Sequence, residues 1–334
     1  MRQPDFLKNQ DEILLVAPSF GVTTEPYMTR TDVAIKQLQK RGFVVKEGPC
    51  TRLAEGVVSS APPEIRAKEI MDGFASDANL LLSVGGGETM CEILPFIDFE
   101  KIKSLPAKWF MGFSDNTNLC FPLATLADTM SIYGPCAGAF YQKEFRCSEK
   151  DALAMLQGEK HFEGYPKYSI SRSKPEHPLW GYRLTQEKAI TADGYKEPME
   201  GILLGGCLDC LINLCGTKFD KVKEFNAKHP EGVLWCLEAC DLHPLGIRRA
   251  LFQLKEAGWF ENANGFLIGR PYCRDFTILG VDRFMATLDI LKPLGKPILM
   301  DVDLGHLAPS MPIKIGAHAR VSLEKGNIIF DYQE

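Results

Sequence analysis

Apolar positions along the chain fall into short unbroken runs that alternate with stretches of helical spacing. Ile13 to Ala17 is apolar throughout, turns at Pro18-Ser19-Phe20-Gly21, and leads into a helical pattern through Val33, Leu38 and Arg41. Phe43 to Val45 reads as the next strand. Residues 62 to 77 carry helical spacing at Ile65, Lys68, Ile70 and Phe74, and Asn79 to Val84 is then a continuous apolar run ending in Gly85-Gly86-Gly87. Runs of this kind belong to strands buried on both faces, and their alternation with helices builds a parallel sheet. Met90 to Phe96 is helix-like, and Lys108 to Phe113 is a further strand that stops abruptly at Ser114-Asp115-Asn116-Thr117.

From Phe145 to Met199 the pattern weakens while prolines, glycines and charges rise, as in an excursion from a core. Order returns at Gly201 with a strand, a double glycine and a helix. Gly232 to Cys240 is a strongly apolar strand with Glu238 near its end. There follow a helix over Gly246 to Ala257, a strand over Gly265 to Ile268, a helix over Val281 to Leu291, a strand over Pro297 to Val302 and a β-rich tail. The expected fold is therefore α/β. A doubly wound, mostly parallel N-terminal domain spans 1-150, a linker or substrate loop 151-199, and a smaller C-terminal α/β domain with a β-rich tail 200-334. Two loops of the first half, GGGET and SDNT, follow strand ends, where ligands collect in an open parallel sheet. They are expected to face one crevice.

Composition narrows the function. Of 334 residues 45% are hydrophobic and 24% charged, with formal net charge -5, which leaves no basic footprint for nucleic acid. The first apolar run is too short for a signal segment or a membrane span, so the expectation is a cytoplasmic protein without membrane attachment. Eleven cysteines scattered without an export signal read as reduced, mostly buried thiols rather than a disulfide framework.

Ser114 has two readings. Between a strand and Asp-Asn-Thr it is a good helix N-cap. It is also placed as a nucleophile on a sharp strand-to-helix turn, although Gly112-Phe113-Ser114-Asp115-Asn116 lacks the second glycine of the hydrolase elbow. A serine nucleophile needs a base and the base an orienting acid. Of six histidines, His161, His177 and His229 lie in polar segments, His318 alternates along the tail strand, and His243 sits in an undistinguished loop. His306 stands just beyond the strand ending at Val302, in a loop marked by glycine and proline, where catalytic side chains are held. A structural loop histidine is the plainer alternative. Glu238 closes a buried strand and needs a partner: Arg248, Arg249, a helix end, or His306. Gly85 to Gly87 serve as a tight turn, a phosphate cradle or an oxyanion loop, and no Walker lysine or Gly-x-Gly-x-x-Gly accompanies them.

Taken together, Gly112 to Thr117, the triple glycine with Leu94 to Phe99 behind it, Gly201 to Gly206 with Gly216-Thr217, the strand carrying Leu237-Glu238, and Gly305 to Pro309 with Pro312 to Ala317 resemble the LD-carboxypeptidase and microcin C immunity serine peptidases. The five blocks recur in the family's order from about Leu15 to Val321. The resemblance implies a Ser-Glu-His triad on Ser114, Glu238 and His306, with the serine on the N-terminal domain, the other two on the C-terminal domain, and catalysis at their junction. It also implies a homodimer; no cofactor or metal is expected. In that scheme His306 takes the Ser114 proton, Glu238 holds the imidazole, and the Asp115 backbone N-H faces the oxyanion with Gly86 as second donor. Gly85 and Gly87 then flank the substrate.

The sequence departs from the family where substrate is recognised: Gly87 is followed by Glu88-Thr89-Met90-Cys91, and Cys207 stands where an asparagine often follows the second glycine pair. Two substrate classes are known in the family, the L,D bond to a terminal D-alanine of muropeptides and the acidic aminoacyl-nucleotide amide of processed microcin C. The long middle segment resembles the microcin-immunity branch, where an aromatic residue stacks on the nucleobase; Trp180 is the counterpart here, with plain packing of its loop as the alternative. Rival readings are a Cys/His metal site built on Cys207, Cys210, Cys236, Cys240 and His243, and a catalytically silent binding protein of the same fold.

Overall fold

The structure, a computed structural model, describes residues 1-170 and 177-333 and divides into two compact units. One comprises Met1–Glu159, Ser173–Tyr182 as far as described, and Pro312–Lys314; the other comprises the rest.

The first unit opens with β1 (Glu12–Val16), α1 (Tyr27–Lys40), β2 (Val44–Glu47), α2 (Pro63–Ala75) and β3 (Leu80–Ser83). It continues with α3 (Phe99–Ser104), β4 (Trp109–Gly112), α4 (Thr117–Thr125), β5 (Ser131–Tyr133) and α5 (Cys147–Leu156). Every residue of β3 and β4 is buried, which is why both strands are apolar but for Ser83 at the end of β3. β1 pairs in parallel with β2 on one side and β3 on the other, and β4 and β5 extend the parallel order. The strand order is therefore 2-1-3-4-5, which reverses direction between β1 and β3 and opens a crevice beyond their carboxyl ends. Met90 to Phe96 is a 3-10 helix instead of an α-helix, because Pro95 within it has no N-H to donate.

The second unit starts with β6 (His161–Glu163), β7 (Lys167–Tyr168), β8 (Gln186–Glu187), β9 (Thr191–Asp193), β10 (Met199–Cys207), α6 (Leu208–Leu214) and α7 (Val222–Lys228). Then come β11 (Val233–Glu238), α8 (Pro244–Glu256), β12 (Ala263–Gly269), α9 (Arg283–Leu291) and β13 (Ile298–Val302). β14 (Ile313–Ile315) joins the edge of the first unit's sheet beside β5, and β15 (His318–Glu324) and β16 (Asn327–Tyr332) complete the second. β10 to β13 lie side by side in parallel, so their right-handed crossovers set α6, α8 and α9 on one face. α8 buries Ile247, Ala250, Leu251 and Leu254, a stripe at helical spacing. β15, β16, β6 and β9 are antiparallel additions. None of the described helices is long and apolar enough to cross a membrane.

Candidate active site

In the first unit the site assembles at the β1/β3 reversal. Ser114 follows β4 with φ 63°, in the left-handed region that a side chain with a Cβ rarely adopts. An N-cap is extended, so the strand-to-helix turn at Ser114 is an elbow and not a cap. The Ser114 N-H donates to the Tyr133 hydroxyl at 3.0 Å, which ties the elbow to β5. Asp115 is buried, and its Oδ2 accepts from the Ser19 hydroxyl at 2.5 Å and from the Met90 N-H at 2.9 Å. Burial pushes the Asp115 carboxyl above the usual range, opposed by these bonds from Ser19, Met90 and Asn118.

The glycine loop is fastened to the same elbow. Asn116 Nδ2 donates to the Gly85 carbonyl at 3.0 Å, and the Phe20 N-H donates to the Gly86 carbonyl at 3.2 Å. A Cβ on Gly86 would stand 3.0 Å from Ser114 Cβ and 3.3 Å from the Phe113 carbonyl, so glycine is what lets the loop approach the serine. Gly85, Gly86, Gly87, Ser114 and Asp115 are thus gathered in one place. Trp180 belongs to this unit too: its side chain is 57% exposed while its carbonyl accepts from Arg30 Nη2 at 3.0 Å and the Tyr141 hydroxyl at 3.2 Å.

In the second unit Glu238 ends β11 and His306 follows β13, both at strand carboxyl ends. His306 Nδ1 lies 2.8 Å from Glu238 Oε2, and Glu238 is 1% exposed. Arg248 pairs instead with Asp289. Burial alone would lower the His306 pKa, but the Glu238 carboxylate and the Cys240 thiol beside the ring outweigh it and hold the imidazole well above its ordinary value. With Nδ1 engaged by a buried carboxylate, proton exchange falls to Nε2, the arrangement of a general base with its orienting acid. Gly305, at φ 115°, brings the chain against Glu238: a Cβ there would lie 3.2 Å from Oε2.

The loop from Asp303 to Met311 that carries His306 is anchored by a buried ion network. Asp303 pairs with Arg270 Nη2 at 2.8 Å and Lys188 at 3.2 Å, and the Met311 N-H closes the loop on the Asp303 carbonyl at 2.7 Å. Arg270 and Asp303 are 2% and 1% exposed. We expect Asp303→Asn to cost roughly 3–5 kcal/mol of stability by leaving Arg270 buried and unpaired, read as a lowered urea midpoint at unchanged slope.

Beside the dyad lies a cavity of about 340 Å³ lined by Cys240, Asp241, His243, Tyr272, Cys273, Asp275 and Phe276. The Tyr272 ring meets the His306 ring edge-on with centroids 5.6 Å apart. His243 accepts the Gly246 N-H on Nδ1 and caps α8. Cys207, Cys210 and Cys236 are packed in the interior, and no group of three or more His, Cys, Asp or Glu among the described residues is arranged to hold a metal ion.

Sequence models of two domains match the chain: the LD-carboxypeptidase N-terminal domain over residues 13–134 and the LD-carboxypeptidase C-terminal domain over 200–321. The chain belongs to the LD-carboxypeptidase family. It is 25% identical over 328 residues to the putative carboxypeptidase YocD of Bacillus subtilis, covering 96% of each chain. It is 24% identical over 335 residues to the probable murein peptide carboxypeptidase of the same organism, covering 98% of this chain and 94% of the other. The solved structure of the microcin C7 self immunity protein MccF in complex with aspartyl sulfamoyl adenosine shares the fold, with TM-score 0.83 at 19% identity over 99% and 98% of the two chains.

Several residues of the site escape sequence reasoning. Ser19, Tyr133, Asn116, Arg270 and Asp303 all hold catalytic candidates or their loops in place. Only the polar residues at strand ends, Arg270 after β12 and Asp303 after β13, carried a local signal for it.

Proposed function

We propose that the chain is a serine peptidase that hydrolyses L,D-peptide amides through an acyl-enzyme, with Ser114 as nucleophile, His306 as base and Glu238 as the acid that orients it. The observation that carries this reading is the Glu238–His306 pair, buried, 2.8 Å apart and set at two strand ends. His306 removes the Ser114 proton as Oγ attacks the carbonyl and returns it to the leaving amine; water then repeats the cycle on the ester. The Asp115 and Gly86 N-H groups receive the oxyanion, and the left-handed elbow at Ser114 favours this because it turns the strand sharply into the helical segment behind it.

The cavity beside His306 supports a peptide over an acidic aminoacyl-nucleotide. Asp241 and Asp275 line it and, among the described residues, no lysine or arginine does; Arg274 pairs with Asp275 at 3.1 Å from outside the lining. With Asp275 already paired, an aspartyl or glutamyl side chain entering there meets the like charge of Asp241, whereas an amine-bearing side chain does not. The relative named as a murein peptide carboxypeptidase supports the same substrate class.

The test is a fluorophosphonate probe together with a side-by-side mass-spectrometric assay of a muropeptide tetrapeptide and aspartyl sulfamoyl adenosine. Labelling lost in Ser114→Ala, with release of the terminal D-alanine and little turnover of the nucleotide, is the expected result. It would also remove Trp180 as a nucleobase platform. Preferential cleavage of the nucleotide would overturn the substrate assignment, and neither labelling nor hydrolysis would sink the peptidase.

A further inference from the structure

Cys240 is a nucleophilic group that the hydrolytic cycle does not use, yet it stands against the base. Its thiol lies beside the His306 imidazole and its side chain lines the same cavity as Tyr272, which touches His306, and as a second thiol, Cys273. Its backbone is fixed: the Cys240 and Asp241 N-H groups each donate to the Asp209 carboxylate at 3.0 Å. The cavity of about 340 Å³ is room for about ten waters at roughly 30 Å³ each, enough to admit a small reagent to the sulfur.

We infer that Cys240 is a modification site: a small disulfide entering this cavity forms a mixed disulfide with its thiol and disables His306. The inference rests on His306 being the base of the proposed peptidase. In the step, the Cys240 proton passes to His306 and the thiolate attacks one sulfur of the incoming disulfide. The Cys240 S–S bond forms, the incoming S–S bond breaks, and the expelled thiolate recovers the proton from His306 as a free thiol.

Five of the other thiols are poorer candidates. Cys120 and Cys236 are buried and raised by desolvation, Cys120 to about 12. Cys50 is pushed to about 12 by burial and by Glu69, and burial raises Cys136 and Cys147 each to about 11. Burial raises Cys240 as well, and Asp241, whose carboxylate accepts from the thiol at 3.8 Å, and Glu238 add to it, but the His306 imidazole opposes them and supplies a base at the sulfur. Asp241 and Asp275 favour a cationic reagent over an anionic one.

The experiment treats the full chain with limiting cystamine, a small cationic disulfide, maps the adduct by peptide mass spectrometry, and follows both hydrolysis and the His306 ring by NMR titration. We expect the adduct on Cys240, hydrolysis lowered roughly 10²-fold or more as for loss of a general base, recovery with dithiothreitol, and a His306 titration moved to lower pH. Cys240→Ala, with Cys240→Ser as the alternative variant, should keep its own rate through the treatment. An adduct on Cys273 or elsewhere that inactivates, or an adduct on Cys240 that moves neither rate nor His306 titration, overturns the inference. The NMR titration and the map score it even if the untreated protein hydrolyses nothing, an outcome that condemns the peptidase reading alone.

Discussion

Glu238→Gln is expected to lower kcat about 10³- to 10⁴-fold, the scale seen when the acid of a serine triad becomes its amide, and to move the rising limb of the pH profile toward acid. The carboxylate is 1% exposed and 2.8 Å from His306 Nδ1, so its charge acts on the ring with little screening by water. It is the main reason that His306 is held above its ordinary pKa although burial pulls the other way. The base works in its neutral form. In the wild type, kcat/KM should therefore climb as pH rises through that elevated value, and in the variant the climb should come at lower pH. Stability follows the same sign. A raised folded-state pKa contributes stabilisation that is complete below the unfolded value, about 6.5, and is lost as pH rises through the folded one. The variant should have a weaker dependence, which urea midpoints across that window would show. An unchanged pH profile would mean that Glu238 does not govern the base.

What the chain disclosed in advance follows from where its signals are local. β3, β4, β11 and β13 are buried throughout, and a strand buried on both faces is apolar over nearly all its length, the exceptions Ser83, Glu238 and Asp301 falling at or beside the carboxyl ends. α5 was hidden in a region of weak pattern, because its buried Ala152, Met155 and Leu156 are mixed with Glu149, Lys150 and Asp151. The pairing of β6 with β16 joins residues as much as 170 positions apart, Asp331 with His161, and leaves no local trace. Glu238 and His306 were legible as strand-end residues, but 68 positions separate them and only the parallel order of β11, β12 and β13 brings them together. Ser19 and Asp115, 96 positions apart, meet for the same kind of reason at the reversal between β1 and β3. Ser114 was locally ambiguous for a different reason. Local preference for Ser-Asp-Asn-Thr is a capped helix, and the left-handed backbone found there is imposed from outside by β5 and the glycine loop.

That imposed conformation separates catalysis from stability in two variants of one residue. Ser114→Ala and Ser114→Gly both remove Oγ, so both should lose about 10⁶-fold in kcat, the order reported by removing a serine nucleophile. They differ in the backbone. Alanine keeps a Cβ at φ 63° and retains the strain, while glycine adopts that region without steric cost. The relief is of order 1 kcal/mol and is offset in part by the greater freedom of glycine in the unfolded chain. Ser114→Gly should therefore be the more stable of the two by up to about 1 kcal/mol, read as a higher urea midpoint at equal slope. Equal midpoints would mean that the elbow stores no strain, and substantial turnover by Ser114→Ala would place the nucleophile elsewhere. If both expectations hold, the serine costs the fold stability at the one position where its hydroxyl is needed, which is the pattern of a residue kept for chemistry and not for capping.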